Sequence, residues 1–348
     1  MKILFLLIVS LLAIAGQSQS MLEKEVPNAE TIELYKRIWD IFQDSKGNYW
    51  FGSNGKGLYF YDGQNLKQIT MEDGLISNHI RSIQEDNKGN IYIETPSGIS
   101  HFNGSQFKTL EVIKSANNHW ELEPNDLWFN CNGNANHVYR FDGKNLYELQ
   151  LPKQDIKNEL NINEENIRYS PYTVFGIDKD KAGNIWFGTV IAGAFRYDGQ
   201  SFLWVGDKEL SRLPSGREPG VRSILEDNNG HIWLSNFISK YAITDDSIVQ
   251  YQKIKITGIS EKTVKNNILY FNSGLKDEDG NLWMTTYGGT VWKYDGKKLS
   301  NFKINNGKEN VLLISIYQDN SGTLWLGTDN DGAYKHNGNS FEKFEIDK

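Results

Sequence analysis

Asp180-Lys181-Ala182-Gly183-Asn184-Ile185-Trp186-Phe187-Gly188-Thr189 reads as a tight turn that runs straight into a short strand. Asp and Asn close such a turn through their side chains, Gly183 supplies the positive φ a hairpin needs, and Ile-Trp-Phe favours an extended chain. The same order returns along the chain. Turns at Asp44-Ser45-Lys46-Gly47, Asp86-Asn87-Lys88-Gly89, Asp227-Asn228-Asn229-Gly230, Asp277-Glu278-Asp279-Gly280 and Asp319-Asn320-Ser321-Gly322 lead to Trp50, Tyr92, Trp233, Trp283 and Trp325. A seventh anchor, Trp128, follows the shortened turn Glu123-Pro124-Asn125-Asp126. Neighbouring anchors lie 36 to 58 residues apart, and a second turn of the Asp-Gly or Asn-Gly type follows most of them. Repeats of roughly 40–50 residues, each with four short strands, predict blades around an axis. The expected fold is all-β, a seven-bladed β-propeller of four-stranded antiparallel blades.

The blades are expected near 37–72, 79–113, 118–151, 172–206, 220–252, 269–304 and 311–347, with residues 21–348 forming one propeller. Ahead of them, Lys2 precedes the apolar run Ile3–Ala15, and Ala13-Ile14-Ala15 offers a small-x-small cleavage site. Residues 1–20 therefore read as a signal peptide, since the run is shorter than the ~20 residues a spanning helix needs. The expected location is periplasmic or secreted, with no membrane insertion of the mature chain. A net charge of −7 argues against nucleic acid, whose backbone needs a basic face. Cys131 is the single cysteine, so no intramolecular disulfide forms, and its slot otherwise holds Ser, Thr or Asn. A packed small side chain is the expected role.

In an up-and-down blade the a–b and c–d turns share one face, and the b–c and d–a connections share the other. The long stretches near Leu151–Pro171, Val205–Gly220 and Lys253–Asn267 all fall on the second face, where binding is expected. Strand a is expected innermost. Its third slot holds Asp40, Ser82, Gly176, Ser223, Ser273 and Ser315, small residues suited to a crowded axis. The slot before it holds Trp39, Arg81, Trp120, Phe175, Arg222, Asn272 and Ile314. Aromatic faces stack on sugar rings, and arginine grips carboxylate or sulfate through two parallel donors. Trp39, Arg81, Trp120, Phe175, Arg222 and Asn272 are thus the candidate ligand-binding residues at a central mouth. The competing reading is that these side chains plug the channel.

Other chemistry is thinly supported. The acidic a–b turns lack the twelfth-position glutamate of a calcium loop and read as turn chemistry. His79, His101, His119, His137, His231 and His336 show no metal-ligand spacing. No phosphate-cradling glycine loop, nucleophile elbow or Cys–His arrangement appears. No catalytic residue, cofactor or metal is expected. Glu94 is the one carboxylate placed where most blades carry a small residue or glycine.

Arg81-Ser82-Ile83-Gln84-Glu85-Asp86, Gly183-Asn184-Ile185-Trp186-Phe187-Gly188-Thr189 and Gly280-Asn281-Leu282-Trp283 resemble two-component regulator propeller repeats. The resemblance covers essentially the whole propeller, with blade 3 and the 151–171 insertion its poorest parts. It implies a ligand- or partner-binding propeller, since members often form the exported sensor half of histidine kinases linked to carbohydrate sensing. The chain ends with the last blade, so a stand-alone exported propeller without the kinase part is the form expected. Its motif defines blades and not catalytic positions.

The expected function is therefore an exported propeller that binds a glycan or other extracellular ligand at its mouth, in sensing or capture. An envelope protein–protein scaffold is the alternative partner class. A polysaccharide or streptogramin-type lyase or hydrolase remains open through analogy of fold.

Overall fold

The computed structural model describes residues 33–114, 120–130, 136–163, 170–211, 219–245, 249–257, 270–302, 304 and 311–346. The expected signal peptide, Cys131, His119 and part of the 151–171 insertion lie outside them. Seven four-stranded sheets form a seven-bladed β-propeller with almost no helix. Blade 1 is typical: Ile38–Gln43, Tyr49–Ser53, Leu58–Tyr61 and Leu66–Ile69 follow one another from axis to rim as strands a to d. Blades 2, 4, 5, 6 and 7 repeat that order, with inner strands Ser82–Glu85, Val174–Lys179, Ile224–Glu226, Ser273–Lys276 and Leu313–Gln318.

The anchor tryptophans fill the gaps between sheets, as their size and β preference suggest. Trp50, Trp186, Trp233 and Trp325 are among the largest fully buried side chains. Removing one indole from water takes away roughly 200 Å² and contributes on the order of 5 kcal/mol before chain entropy is subtracted. The repeat's aspartate satisfies the one polar atom this burial hides. Trp50 Nε1 donates to Asp44 Oδ2 at 2.9 Å, Trp186 to Asp180 at 2.9 Å and Trp233 to Asp227 at 3.2 Å. Trp283 and Trp325 donate to Asp277 and Asp319, each at 2.8 Å. The Tyr92 hydroxyl does the same to Asp86 at 3.0 Å. The other oxygen of each aspartate accepts turn N–H groups, as in Asn281 N to Asp277 Oδ1 at 2.7 Å. One residue thus fixes both the hairpin and the indole.

Every strand of blades 1 and 7 comes from its own repeat, so no terminal strand is borrowed to close the ring. Side chains and close backbone packing close it instead. Arg37 Nε and Trp39 Nε1 both donate to Asp329 Oδ1, at 2.9 and 2.6 Å, and the Tyr49 hydroxyl donates to Asp319 at 2.7 Å.

Blade 3 departs from the pattern. Leu127–Phe129, His137–Phe141 and Leu146–Gln150 occupy the positions of strands b, c and d. The fourth strand is Val112–Ile113, which pairs in parallel with Leu146 and Tyr147 on the outer edge. Among the described residues, none around Trp120 forms the expected inner strand. The shortened turn at 123–126 leaves too few residues for the usual a–b hairpin, and the chain supplies the fourth strand from the other side.

Candidate functional site

The missing inner strand of blade 3 determines the site. In blades 1, 4 and 7 the fourth residue of strand b is Gly52, Gly188 or Gly327, because the next blade packs directly against it. A Cβ at Gly188 would lie 2.2 Å from Val221 O, and one at Gly327 would lie 2.7 Å from Ile38 O of blade 1. A Cβ at Gly52 would lie 2.6 Å from Ile80 Cγ2. The same position in blade 2 is Glu94, whose next neighbour is the blade without an inner strand. The vacated space admits a long side chain there.

Glu94 uses that space to cap a bare sheet edge. Its Oε1 accepts from Asn130 N at 3.1 Å, and its Oε2 accepts from Ser82 Oγ at 2.7 Å. Gln84 Nε2 donates to Trp128 O at 3.0 Å on the same edge. Asn130 Nδ2 reaches Phe175 O at 3.4 Å in blade 4. Side chains from blade 2 thereby satisfy strand Leu127–Phe129, whose unpaired edge would otherwise cost about 1–3 kcal/mol per buried group.

What remains of the gap is a cavity of about 270 Å³, lined among others by Arg81, Glu94, Asn130, Phe175 and Arg222. Both arginines lie on aromatic faces. Arg81 Cζ stands 4.4 Å from the centre of the Trp39 ring, and Arg222 Cζ stands 4.0 Å from that of Phe175. Tyr287 flanks Arg222 at 5.8 Å. Stacking on a ring holds a guanidinium flat while leaving its N–H edge for a partner. Arg222 Nε is shielded from solvent and has no hydrogen-bond partner among the described residues. Arg81 Nη1 makes only a long contact with Asn54 Oδ1, at 3.4 Å, an oxygen it shares with His79 Nδ1 at 2.8 Å. Burial draws the Arg81 guanidinium below its usual pKa, opposed by the charge of Glu94 and assisted by Arg37.

Sequence reasoning put six residues around one mouth, and the structure divides them. Arg81, Phe175 and Arg222 line one cavity, and Trp39 backs Arg81 while anchored through its indole to Asp329. Trp120 does not join them. With no inner strand in blade 3, it packs between blades 3 and 4 against Trp128, Phe187, Tyr197 and Phe202, at ring distances of 4.7 to 5.9 Å. Its carbonyl accepts from the Tyr197 hydroxyl at 2.8 Å. Asn272 is buried and ties blade 6 to blade 7, donating to Leu313 O at 2.9 Å and Ile314 O at 3.1 Å. Asn130 and Gln84 were not picked out by the sequence. The signal was present in Glu94 and Asn130, which break a run of small residues in the strand-b slot.

A second cavity, about 330 Å³, opens between blades 4, 5 and 6 and is lined by Asp178, Lys181, Glu226 and Lys276 among others. Enclosure raises the Asp178 carboxyl to about 6, and burial followed by the nearby Lys181 lowers Lys276. Acids and lysines alternate there, so the lining is nearly neutral. Among the described residues no cluster of His, Cys, Asp or Glu could hold a metal ion, and no helix is long and apolar enough to cross a membrane.

The fold is a seven-bladed propeller with a charged cavity lined largely by residues of its inner strands. The family model "two component regulator propeller" matches residues 33–55 and 307–330, one segment in the first blade and one reaching through the last. Among solved structures it is similar to the extracellular domain of a protein described as a hybrid two component system from B. thetaiotaomicron. That likeness has 22% identity and a TM-score of 0.57, covering 87% of this chain and 39% of the other. This chain thus spans about two fifths of that domain's length. It is also similar to virginiamycin B lyase from Staphylococcus aureus, at 13% identity and a TM-score of 0.60, covering 87% and 97% of the two chains. YCF48 from Cyanidioschyzon merolae shares 13% identity with a TM-score of 0.53, covering 90% and 97%. At these identities the likenesses establish the fold alone. No curated protein matches the chain.

Proposed function

We propose that this protein is an exported binding propeller that captures an extracellular ligand, a glycan in the first instance, at the mouth between blades 2 and 5. Its role is sensing or capture without turnover. The observation that carries this reading is the pair of stacked arginines, Arg81 on Trp39 and Arg222 on Phe175, facing one cavity. Guanidiniums held flat on rings and short of acceptors are preorganised for an oxygen-rich ligand, so little ordering entropy is lost on binding. A cavity with a few convergent polar groups is the usual form of a small-ligand site. The likeness to an extracellular domain of a two component system agrees with an exported, sensory setting.

A glycan array probed with the purified protein tests the reading, with calorimetry on each hit. Binding that is abolished in the Arg81→Ala, Arg222→Ala double variant, with an unchanged circular dichroism spectrum, is the expected result. An empty array, together with a stoichiometric protein partner recovered from envelope extracts, would replace it with a scaffold role.

A further inference from the structure

The arginines of this cavity are not interchangeable with a sugar-stacking platform, and their setting narrows the ligand. This step rests on the glycan-binding reading and specifies what part of the glycan is held. We propose that the blade 3 gap receives one acidic group end-on, the terminal sugar of its ligand bearing a single carboxylate or sulfate ester.

Three observations converge on that choice. The first is charge. Arg81 and Arg222 each carry a positive charge at the cavity, and Glu94 carries the one opposing carboxylate. The Glu94 oxygens accept from Asn130 N and Ser82 Oγ, and its charge offsets part of the positive charge at Arg81. One net positive charge remains, which a monoanion neutralises. A half-buried guanidinium is better satisfied by an anion than by a neutral group, so a neutral ligand would leave that charge unmatched.

The second is the use made of the aromatic faces. Trp39 and Phe175 each hold a guanidinium at 4.4 and 4.0 Å, and those faces are taken. Stacking of a neutral pyranose on them would require displacing the arginines. Recognition therefore runs through the guanidinium N–H groups, which suit two coplanar oxygens.

The third is shape. The gap is the width of one absent strand, closed on its sides by blades 2 and 4 and capped across blade 3 by Glu94 and Gln84. At about 270 Å³ it lies near the lower limit of ligand pockets and admits one sugar ring. A polymer running through would need a second exit along the edge that Glu94 and Gln84 seal. The chain end is what fits.

The test uses the full-length mature protein and four monosaccharides, D-glucuronate, D-galacturonate, D-glucose 6-sulfate and D-glucose, followed by saturation-transfer NMR and calorimetry. At least one acid should bind and glucose should not, with Arg222→Gln weakening the acid at least tenfold. Binding of the uronates alone identifies a carboxylate, and binding of the sulfate alone identifies the ester. Glu94→Gln, which keeps an acceptor for Asn130 N, should tighten the acid several-fold by removing the opposing charge. Glucose binding as well as glucuronate, or acid binding that ignores both Arg222→Gln and Glu94→Gln, would overturn the inference while leaving a glycan-binding propeller intact. Array hits confined to neutral glycans would do the same. A wholly empty array would remove the underlying reading instead.

Discussion

Glu94 Oε1 accepts the backbone N–H of Asn130 at 3.1 Å across the gap where blade 3 should have an inner strand. A side chain from one blade thus does the work of a missing strand in the next. It satisfies the edge of Leu127–Phe129 and at the same time keeps the gap open as a cavity, where a full strand would have filled it.

That dual role separates two substitutions. Glu94→Gln retains an acceptor and should change stability by less than about 1 kcal/mol. Glu94→Ala leaves Asn130 N unsatisfied and should lower stability by roughly 1–3 kcal/mol. Equilibrium urea unfolding of the two variants checks the difference, and equal losses would show that the contact matters only through its charge.

Gly188 occupies the corresponding slot in blade 4, where blade 5 does provide its neighbour. A Cβ there would sit 2.2 Å from Val221 O, a backbone atom that cannot turn aside. Gly188→Ala should cost about 1–3 kcal/mol by overpacking. A thermal melt that matches the wild type would contradict the close approach of adjacent blades.

Asp40 lies on the inner strand of blade 1 and receives Ile83 N at 2.7 Å from blade 2. Burial pushes its carboxyl up to about 8, opposed by backbone hydrogen bonds from Ile83 and Ile41 and reinforced by the charge of Glu94. The folded state therefore holds a proton that the unfolded chain releases near pH 4. Its stabilising contribution is complete below pH 4 and is lost as pH rises through about 8. Asp40→Asn should match the wild type at pH 4 and exceed it at pH 9, on the order of 1–2 kcal/mol because the residue keeps partial solvent exposure. Melting curves across that range decide it, and parallel profiles would count against a proton held at Asp40.

Asp319 behaves in the opposite sense. Burial works to raise its pKa, but hydrogen bonds from Ser321, Trp325, Tyr49 and Thr323 outweigh it and hold the carboxyl below its ordinary value. Its stabilising contribution is present above pH 4 and is lost as pH falls through the depressed value. Asp319→Ala should cost roughly 1–3 kcal/mol at pH 7, since Trp325 Nε1 and Tyr49 both lose their acceptor, and the gap to wild type should narrow towards pH 2. Chemical denaturation at the two pH values measures it.

The sequence by itself determined the ring. The Asp-x-x-Gly turn, the tryptophan six residues after its aspartate and the second Asx-Gly turn are local signals, set by φ preferences, turn chemistry and β propensity. Repetition in phase carries them from one hairpin to seven sheets. Trp50, Trp186 and Trp325 are buried where that pattern puts them. Local chemistry could also show that Arg81 and Arg222 share a slot and that Glu94 is out of place.

Only the tertiary structure decided what those residues do. Whether a side chain plugs, packs or faces a cavity depends on what the next blade contributes, and the blade after blade 2 contributes no inner strand among the described residues. That absence moved Trp120 into the interblade core and gave Glu94 room between blades 2 and 3. It also left the two arginines and Glu94 lining one cavity. Positions 81 and 222 line one cavity from more than a hundred residues apart in the chain, and no periodicity within a repeat encodes that. The closing of the ring set them side by side.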